Sequence, residues 1–374
     1  MINFIIAEYN PFHYGHQYQL NKIKGSKIII LSGDITQRGE AAIQGKYIRA
    51  QWAIKNGADL VLELPIMYTL QSATNYAKGG VKLAADTNLN GTLVFSAENP
   101  EELPKFYQEL NSRELIPIYH QFRKEGYAHG HALRKAYKCI HSRDVLFKSN
   151  NILGLSYLEA LKDYPSLKYQ ILQRIGDDYR NKQVEDAIAS ATAIRRFIAE
   201  DKKESIENFL PKNVYLDLPK KWKTKSFYPL LQYRLGILQD SMVPITGYER
   251  GMEDLFRKNI ENTEEDFFNK TISKRYTKVR IRRLILNYLL DITKKELDQS
   301  LLDTSYYFKV LASNHHGLDL LKEIKSHSSV PIITNYRQFR ELKGRMRKSF
   351  IKDLSASFLV HGKIEDYYGA KMQL

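Results

Sequence analysis

The sequence predicts an α/β fold over residues 1–204, a parallel sheet with helices on both faces, followed by a mostly helical, basic region over 205–374. Three observations carry this. Short apolar runs alternate with amphipathic stretches through the first hundred residues. The segment 201–225 is charged, contains Pro211 and Pro219, and reads as a linker. The charge is uneven: of a formal net +15, residues 1–200 carry +5 and residues 201–374 carry +10.

The elements follow in order. Asn3–Ala7, Lys27–Ser32, Asp59–Leu64 and Thr92–Ser96 are apolar runs of strand length. Between them Gly15–Lys24, Lys46–Asn56 and Ser72–Ala85 are amphipathic at helical spacing. Strands separated by helices form βαβ units and a parallel sheet. Such sheets bind ligands beyond the carboxyl ends of their strands. From Pro100 to Asp163 the pattern is mostly helical, Leu167–Gln173 reads as one more strand, and Ala191–Ile198 as a helix. Past the linker, Val279–Leu290 and Asn335–Phe350 are the clearest helices.

Composition excludes several classes. At 43% hydrophobic residues and a mean hydropathy of −0.44, the chain can bury a substantial core. One cysteine, Cys139, allows no internal disulfide and no cysteine-rich zinc site, which suits a reducing compartment. No apolar run approaches the ~18 residues that span a membrane. The segment Met1–Ile6 is too short for a signal peptide and lacks a basic start. The expectation is a cytoplasmic globular protein with no membrane partner. Its basic excess points to a polyanionic partner, such as nucleic acid or an anionic membrane surface.

The first chemical signal lies after the first strand, in Glu8-Tyr9-Asn10-Pro11-Phe12-His13-Tyr14-Gly15-His16. A Pro-containing loop leads to His-x-Gly-His at a helix start. His13 and His16 share one face of the first turn. Gly15 lets a ligand approach the backbone. The free N–H groups of a helix N-terminus suit phosphate. Two imidazoles there can donate to an α-phosphate as it gains charge in a transition state. The bland alternative is a helix start with two solvated histidines. As metal ligands the pair lacks a third partner nearby, and no residue is assigned to a metal. The second signal is Ser190-Ala191-Thr192-Ala193-Ile194-Arg195. Ser190 or Thr192 could merely cap the helix. In the functional reading, Thr192 and the helix N-terminus meet β- and γ-phosphates, and Arg195 neutralises the leaving pyrophosphate.

Taken together, HxGH and the late SxTxIR resemble the nucleotidyltransferase superfamily of Rossmann-like enzymes. Within it the chain resembles the bacterial tRNA(Met) cytidine acetate ligase family. The matching stretches are Glu8–His16, Ser32–Ile43 (SGDITQRGEAAI), Lys46–Pro65, Asn150–Leu161, Ser190–Arg195 and Lys274–Leu290. The resemblance implies a Rossmann-like nucleotidyltransferase domain and a two-step reaction. Acetate attacks the α-phosphate of ATP, giving acetyladenylate and pyrophosphate. The N4 amine of the wobble cytidine of elongator tRNA(Met) then attacks the acetyl carbonyl, giving N4-acetylcytidine and AMP. Mg2+ is expected to accompany ATP.

The family's ATP loop maps onto Ile6, Ala7, Glu8, Tyr9, Asn10, Pro11, Phe12, His13, Tyr14, Gly15, His16, Gln17, Tyr18 and Gln19, with His13 and His16 catalytic. Its glycine after the fourth strand is here Ser96, and its nucleotide-contacting asparagine falls on Asn150-Asn151, with Asn151 favoured. Its Arg-Ile step falls on Arg174 and Ile175, and Thr192 and Arg195 complete the phosphate end. Where the family has Ser-Gly-Asn, this chain has Ser32-Gly33-Asp34. From the residues alone, Asn150 and Asn151 would as readily cap a helix, Lys46 and Arg49 read as a solvated face, and Arg38 beside Gly39 reads as a phosphate clamp.

In the basic half, Lys274, Arg275, Lys278, Arg280, Arg282 and Arg283 cluster around Tyr276 and are the expected tRNA contacts. A second cluster is Arg337, Arg340, Lys343, Arg345, Arg347 and Lys348, of which Arg337, Arg340, Lys343 and Arg347 would share a helix side. Solvated helix faces often look like this, but two clusters in the +10 half favour RNA backbone contact. A cytidine drawn out of its stack needs an aromatic surface, for which Tyr9, Phe12 and Tyr14 are the candidates. Two alternatives stay open: a small-molecule nucleotidyltransferase, which needs no basic second half, and a non-catalytic tRNA- or ribosome-binding protein.

Overall fold

The structure, a computed structural model, describes residues 1–127, 129–141, 147–175, 189–364 and 371–372. Five strands from the first half, β1 (Ile2–Ala7), β2 (Ser26–Ser32), β3 (Leu60–Leu64), β4 (Gly91–Ala97) and β5 (Lys168–Gln173), are mutually parallel. The second half adds β6 (Phe308–Ser313), β7 (Ile332–Ile333) and β8 (Lys371–Met372). The order across the sheet is β5-β4-β1-β2-β3-β6-β7, with β8 also pairing with β6. The chain winds one way from β1 to β3 and the other way from β4 to β5. The order therefore reverses between β1 and β4, where such sheets open a crevice.

Alternation along each strand builds two cores. Phe4, Ile28, Ile30, Leu62 and Leu93 join one apolar cluster with Tyr76, Ala77 and Val81 of the helix Ala73–Ala85 and Leu155 and Leu158 of the helix Ser149–Leu161. Ile5, Ile29, Leu31, Val61 and Val94 join the other. It contains Leu20 of the helix Tyr14–Lys22, Trp52 of Lys46–Lys55, and Ile194 and Ile198 of Ala191–Ala199. With a side-chain period of two, each strand feeds both faces.

The sheet crosses the boundary expected at residue 204. β6 runs antiparallel to β3, so the region after 205 is not only helical. Its run Phe308-Lys309-Val310-Leu311-Ala312-Ser313 is entirely buried. The lysine disguises it as an amphipathic stretch, but Lys309 is neutralised by Glu63 of β3 at 2.7 Å. Ile206, Leu210, Val214 and Leu218, all beyond 204, pack in the same cluster as Ile194 and Trp52. A separate cluster gathers Tyr228, Leu231, Met252, Phe256, Phe267, Ile281 and Tyr288. The single helix expected over Asn335–Phe350 is two elements, a 3₁₀ turn Tyr336–Glu341 and a helix Gly344–His361. The break falls at Gly344, whose φ of +55° is outside helical range. Arg337 and Arg340 therefore do not share a helix face with Lys343 and Arg347.

Candidate active site

The loop after β1 turns sharply into a helix. Tyr9 takes a left-handed φ of +46°, and the Asn10–Pro11 peptide is cis. Asn10 Oδ1 accepts the Ile43 N–H at 2.7 Å, and its carbonyl accepts Arg195 Nη1 at 2.6 Å. His13 then caps the helix Tyr14–Lys22. Its Nδ1 accepts the Gly15 N–H at 3.0 Å, while His16 Nδ1 accepts the His13 N–H at 3.3 Å. The two histidines thus form a reciprocal capping box, with rings stacked 3.8 Å apart. A ring nitrogen that accepts an N–H carries no proton, so each neutral ring holds its proton on Nε2. Both rings stay neutral. Burial, then Arg174, lowers the pKa of His13 to about 3. Burial, then His13 and Arg174, lowers that of His16 well below its ordinary value.

A cavity of about 790 Å³ opens beside this loop. It is lined by Ile6, Ala7, Glu8, Tyr9, Asn10, His13, Gly15, His16, Tyr18, Gln19, Ser96, Arg174, Ile175, Thr192 and Arg195 of the expected set. Arg38 also lines it. Five expected residues stand elsewhere. Pro11 and Phe12 are buried behind the loop, Phe12 with its ring against Tyr9 (4.9 Å between centroids) and His16 (5.5 Å). Tyr14 is exposed on the helix, and Gln17 donates to Asn56 Oδ1 at 3.0 Å. Asn151 is wholly buried. Its Oδ1 accepts the N–H groups of Glu98 and Asn99 at 2.9 and 3.1 Å, while Asn150 is the asparagine on the cavity wall. Of the two buried aromatics, Tyr9 borders the cavity and Phe12 does not.

Positive charge converges on this space. Arg38, Arg174 and Arg195 line it on three elements, a fit for a polyanionic ligand. Ser190 caps its helix by accepting the Ala193 N–H at 3.3 Å, and Thr192 Oγ1 accepts from Arg195 Nη2 at 3.3 Å. Three carboxylates also line the space: Glu8, Glu40 and Glu98. Asp34 does not. It is buried beside Lys46 (3.7 Å) and His361 (3.1 Å), and its Oδ1 accepts the Lys46 N–H at 2.9 Å. Lys46 and Arg49, expected on a solvated face, are fully buried. Arg49 donates to the carbonyls of Gln44, Glu8 and Gly33, so it ties the loops after β1 and β2 together. Helical periodicity cannot distinguish a lysine facing water from one facing a buried carboxylate.

Residues 2–368 match the family model described as HIGH Nucleotidyl Transferase. A protein of Fervidobacterium nodosum, named tRNA(Met) cytidine acetate ligase, is 32% identical over 92% of this chain and 86% of its own length. One of the same name from Caldanaerobacter subterraneus is 34% identical over 94% of this chain and 93% of its own. The chain belongs to the tRNA(Met) cytidine acetate ligase family. The crystal structure of Thermotoga maritima TmcAL bound with alpha-thio ATP is 25% identical, with a TM-score of 0.83 over 98% of this chain and 96% of that one.

For this member of the ligase family the cavity also includes groups that the sequence motifs passed over. Gln37 donates its backbone N–H to Glu8 Oε1 at 2.6 Å. Tyr76 and Tyr157 line the wall on two neighbouring helices, Ala73–Ala85 packed on β2 and β3 and Ser149–Leu161 packed on β4. Both tyrosines lie on faces that periodicity assigns to the core, and only their need for a polar partner hints otherwise. Glu98 is turned inward by chain contacts, accepting the N–H groups of Asn150 (3.2 Å) and Asn151 (2.8 Å) at the start of the helix Ser149–Leu161. Among the described residues no group of three His, Cys, Asp or Glu side chains is placed to hold a metal.

The basic helix of this ligase-family chain, Lys278–Leu289, reaches the cavity, for Val279 is part of its lining. Its partner is the loop after β2. Gly39, at φ +71°, leaves room for the backbone of Arg282, to which a Cβ would come within 3.0 Å. Arg282 pairs with Glu40. Arg275 and Arg280 share Glu249 at 2.8 and 2.6 Å. Burial, then Arg280, lowers the pKa of Arg283 to about 10. Of the six expected tRNA contacts, Lys274, Arg275 and Lys278 are exposed, while Arg280, Arg282 and Arg283 are half-buried. No helix among the described residues is long and apolar enough to cross a membrane.

Proposed function

We propose that this chain activates acetate with ATP and transfers the acetyl group to N4 of the wobble cytidine of elongator tRNA(Met). The observation that carries the reading is the pair of neutral imidazoles, each with Nε2–H free for a ligand, in a cavity with three arginines. Neutral Nε2–H groups donate to the α-phosphate oxygens as acetate attacks and charge accumulates. Arg38, Arg174 and Arg195 bind the triphosphate and the departing pyrophosphate, with Thr192 beside them. Asn150 and Ser96 sit on the wall available to the nucleoside.

Mg2+ would enter with the triphosphate, since this ion keeps several waters and often needs few protein ligands. Lys274, Arg275 and Lys278 are the first phosphate contacts for tRNA, beside a helix that borders the cavity. We place the reaction in the cytoplasm, where ATP and tRNA meet. We also divide the chain differently from a cut at 204: one unit holds the sheet and includes the last part of the chain, and a helical unit over roughly Tyr228–Tyr288 is inserted into it.

The test is transfer of labelled acetate to elongator tRNA(Met), with ATP, acetate or tRNA omitted in turn. AMP and pyrophosphate should appear in step with N4-acetylcytidine, and acetyl-CoA should not replace acetate plus ATP. Cys139, exposed on a helix away from the cavity lining, should be replaceable by Ser without loss. N4-acetylcytidine formed from acetyl-CoA with no nucleotide present would overturn the reading. Acetate-independent pyrophosphate exchange would favour a small-molecule nucleotidyltransferase.

A further inference from the structure

The transfer step needs a group to take a proton from the attacking cytosine amine. The capping geometry removes the histidines from that task, because Nδ1 of each is already an acceptor for a backbone N–H and Nε2 carries the proton. Each is a donor at neutral pH. The base must therefore come from elsewhere in the cavity.

Three carboxylates line it, and they are held differently. Glu40 gives one oxygen to the Arg282 guanidinium, which ties it to the basic helix. Glu98 binds the start of the helix Ser149–Leu161 through both oxygens. Glu8 differs. Its Oε1 accepts the Gln37 N–H at 2.6 Å, which orients the group. Among the described residues no hydrogen bond occupies Oε2. A carboxylate oxygen is also the acceptor that suits the N4 amine of cytosine.

Resting on the acetate-ligase reading above, we propose that Glu8 receives the cytosine N4–H and serves as general base for acetyl transfer. The N4 lone pair attacks the acetyl carbonyl carbon of acetyladenylate and forms the N–C bond. The N4 proton passes to Glu8 Oε2. The tetrahedral intermediate then collapses, the C–O bond to phosphate breaks, and AMP leaves with that electron pair. Glu8 returns its proton to solvent or to the AMP phosphate.

The surroundings suit the role. Burial raises the pKa of Glu8 above the ordinary carboxylate value, which makes it a stronger base. Arg49, Arg195 and Arg38, from three separate elements, and the Gln37 N–H oppose that rise and keep it ionisable. Tyr76 and Tyr157 face it from the two helices of the opposite wall.

The experiment supplies synthetic acetyladenylate and elongator tRNA(Met) and follows single-turnover acetyl transfer against pH. Wild type should transfer, with a rate that rises through the Glu8 pKa. Glu8→Gln, which keeps the acceptor for Gln37, should transfer ~10²–10⁴-fold more slowly and lose that rise. Glu8→Asp should keep a rising limb at a shifted pH, and it decides the matter if the Gln variant does not fold. Transfer by Glu8→Gln within threefold of wild type, or an unshifted limb in Glu8→Asp, would mean that the AMP phosphate takes the proton and would overturn the assignment. Failure of wild type to transfer would overturn the acetate-ligase reading instead.

Discussion

His13 does two things with two nitrogens, and they can be separated by substitution. Nδ1 holds the helix start, while Nε2–H is available to a phosphate. His13→Ala loses both, at ~1 kcal/mol for the cap and ~10²–10³ in the rate of acetate-dependent pyrophosphate exchange. His13→Asn restores a capping side chain without Nε2. It should fold like wild type and remain as slow in exchange as the alanine variant. Exchange near the wild-type rate in either would remove His13 from the chemistry. Its buried neutral ring has a second consequence. The native pKa, about 3, lies below the ordinary 6.5. The unfolded chain therefore binds the extra proton first as pH falls. The stability associated with the neutral ring is complete above pH 6.5 and is lost progressively toward pH 3, by up to about 1.4 kcal/mol per pH unit. Chemical denaturation of wild type and His13→Asn between pH 7 and 4.5 should show a shallower loss in the variant; parallel curves would refute the assignment. The histidine pair, Gly15 and Arg195 were legible because their spacing is local. The burial of Asn151, Lys46 and Arg49 was not, because periodicity cannot tell which side of a helix meets another charge.

The helix Lys278–Leu289 was visible in the sequence, but its division of labour was not. Six basic residues look alike along the chain. Glu249 and Glu40, from other elements, engage Arg275, Arg280 and Arg282. Lys274 and Lys278 remain exposed toward solvent. Replacing both by Ala should weaken tRNA binding and reduce the slope of log affinity against log salt by about 2, roughly 0.9 per lost contact. Pyrophosphate exchange without tRNA should continue. Arg282→Ala should behave otherwise, slowing exchange as well, because Glu40 and the loop carrying Arg38 rest on it. Equal effects of the two variants on exchange would refute this division. The 3₁₀ turn and helix around Gly344 teach the same lesson at a smaller scale, since one left-handed residue splits a pattern that otherwise has unbroken helical spacing.

At the scale of the whole molecule, a buried charge cluster ties together β3, β6 and the helix Lys46–Lys55. Glu63 faces Lys46 at 3.1 Å and Lys309 at 2.7 Å, with all three side chains almost wholly buried. Asp353 of the helix Gly344–His361 accepts the Ile66 N–H at 2.8 Å and the Tyr307 hydroxyl at 2.7 Å, which docks the last long helix on the same region. Glu63→Leu removes the carboxylate at 2.7 Å from Lys309 and the nearer of the two beside Lys46, which keeps Asp34 at 3.7 Å. Breaking such a pair typically costs ~3–5 kcal/mol, so a large fall in the denaturation midpoint is expected. A variant as stable as wild type would mean that Asp34 and the other contacts of the two lysines hold the cluster without Glu63.

By itself the sequence determined the five parallel strands, the helices between them and the His-x-Gly-His motif at a helix start, because each rests on periodicity or spacing within a few residues. It also determined where basic charge accumulates, since charge is a sum along the chain. Only the tertiary structure decided that β6 from the second half completes the sheet, that Asp34, Lys46 and Arg49 are interior, and that Glu8 lines the cavity with one oxygen on the Gln37 N–H. Those depend on which distant residue arrives beside a charged group. A charge in a sequence reads as solvent-facing until its partner, 242 positions away for Glu40 and Arg282, is brought within hydrogen-bond reach by the fold.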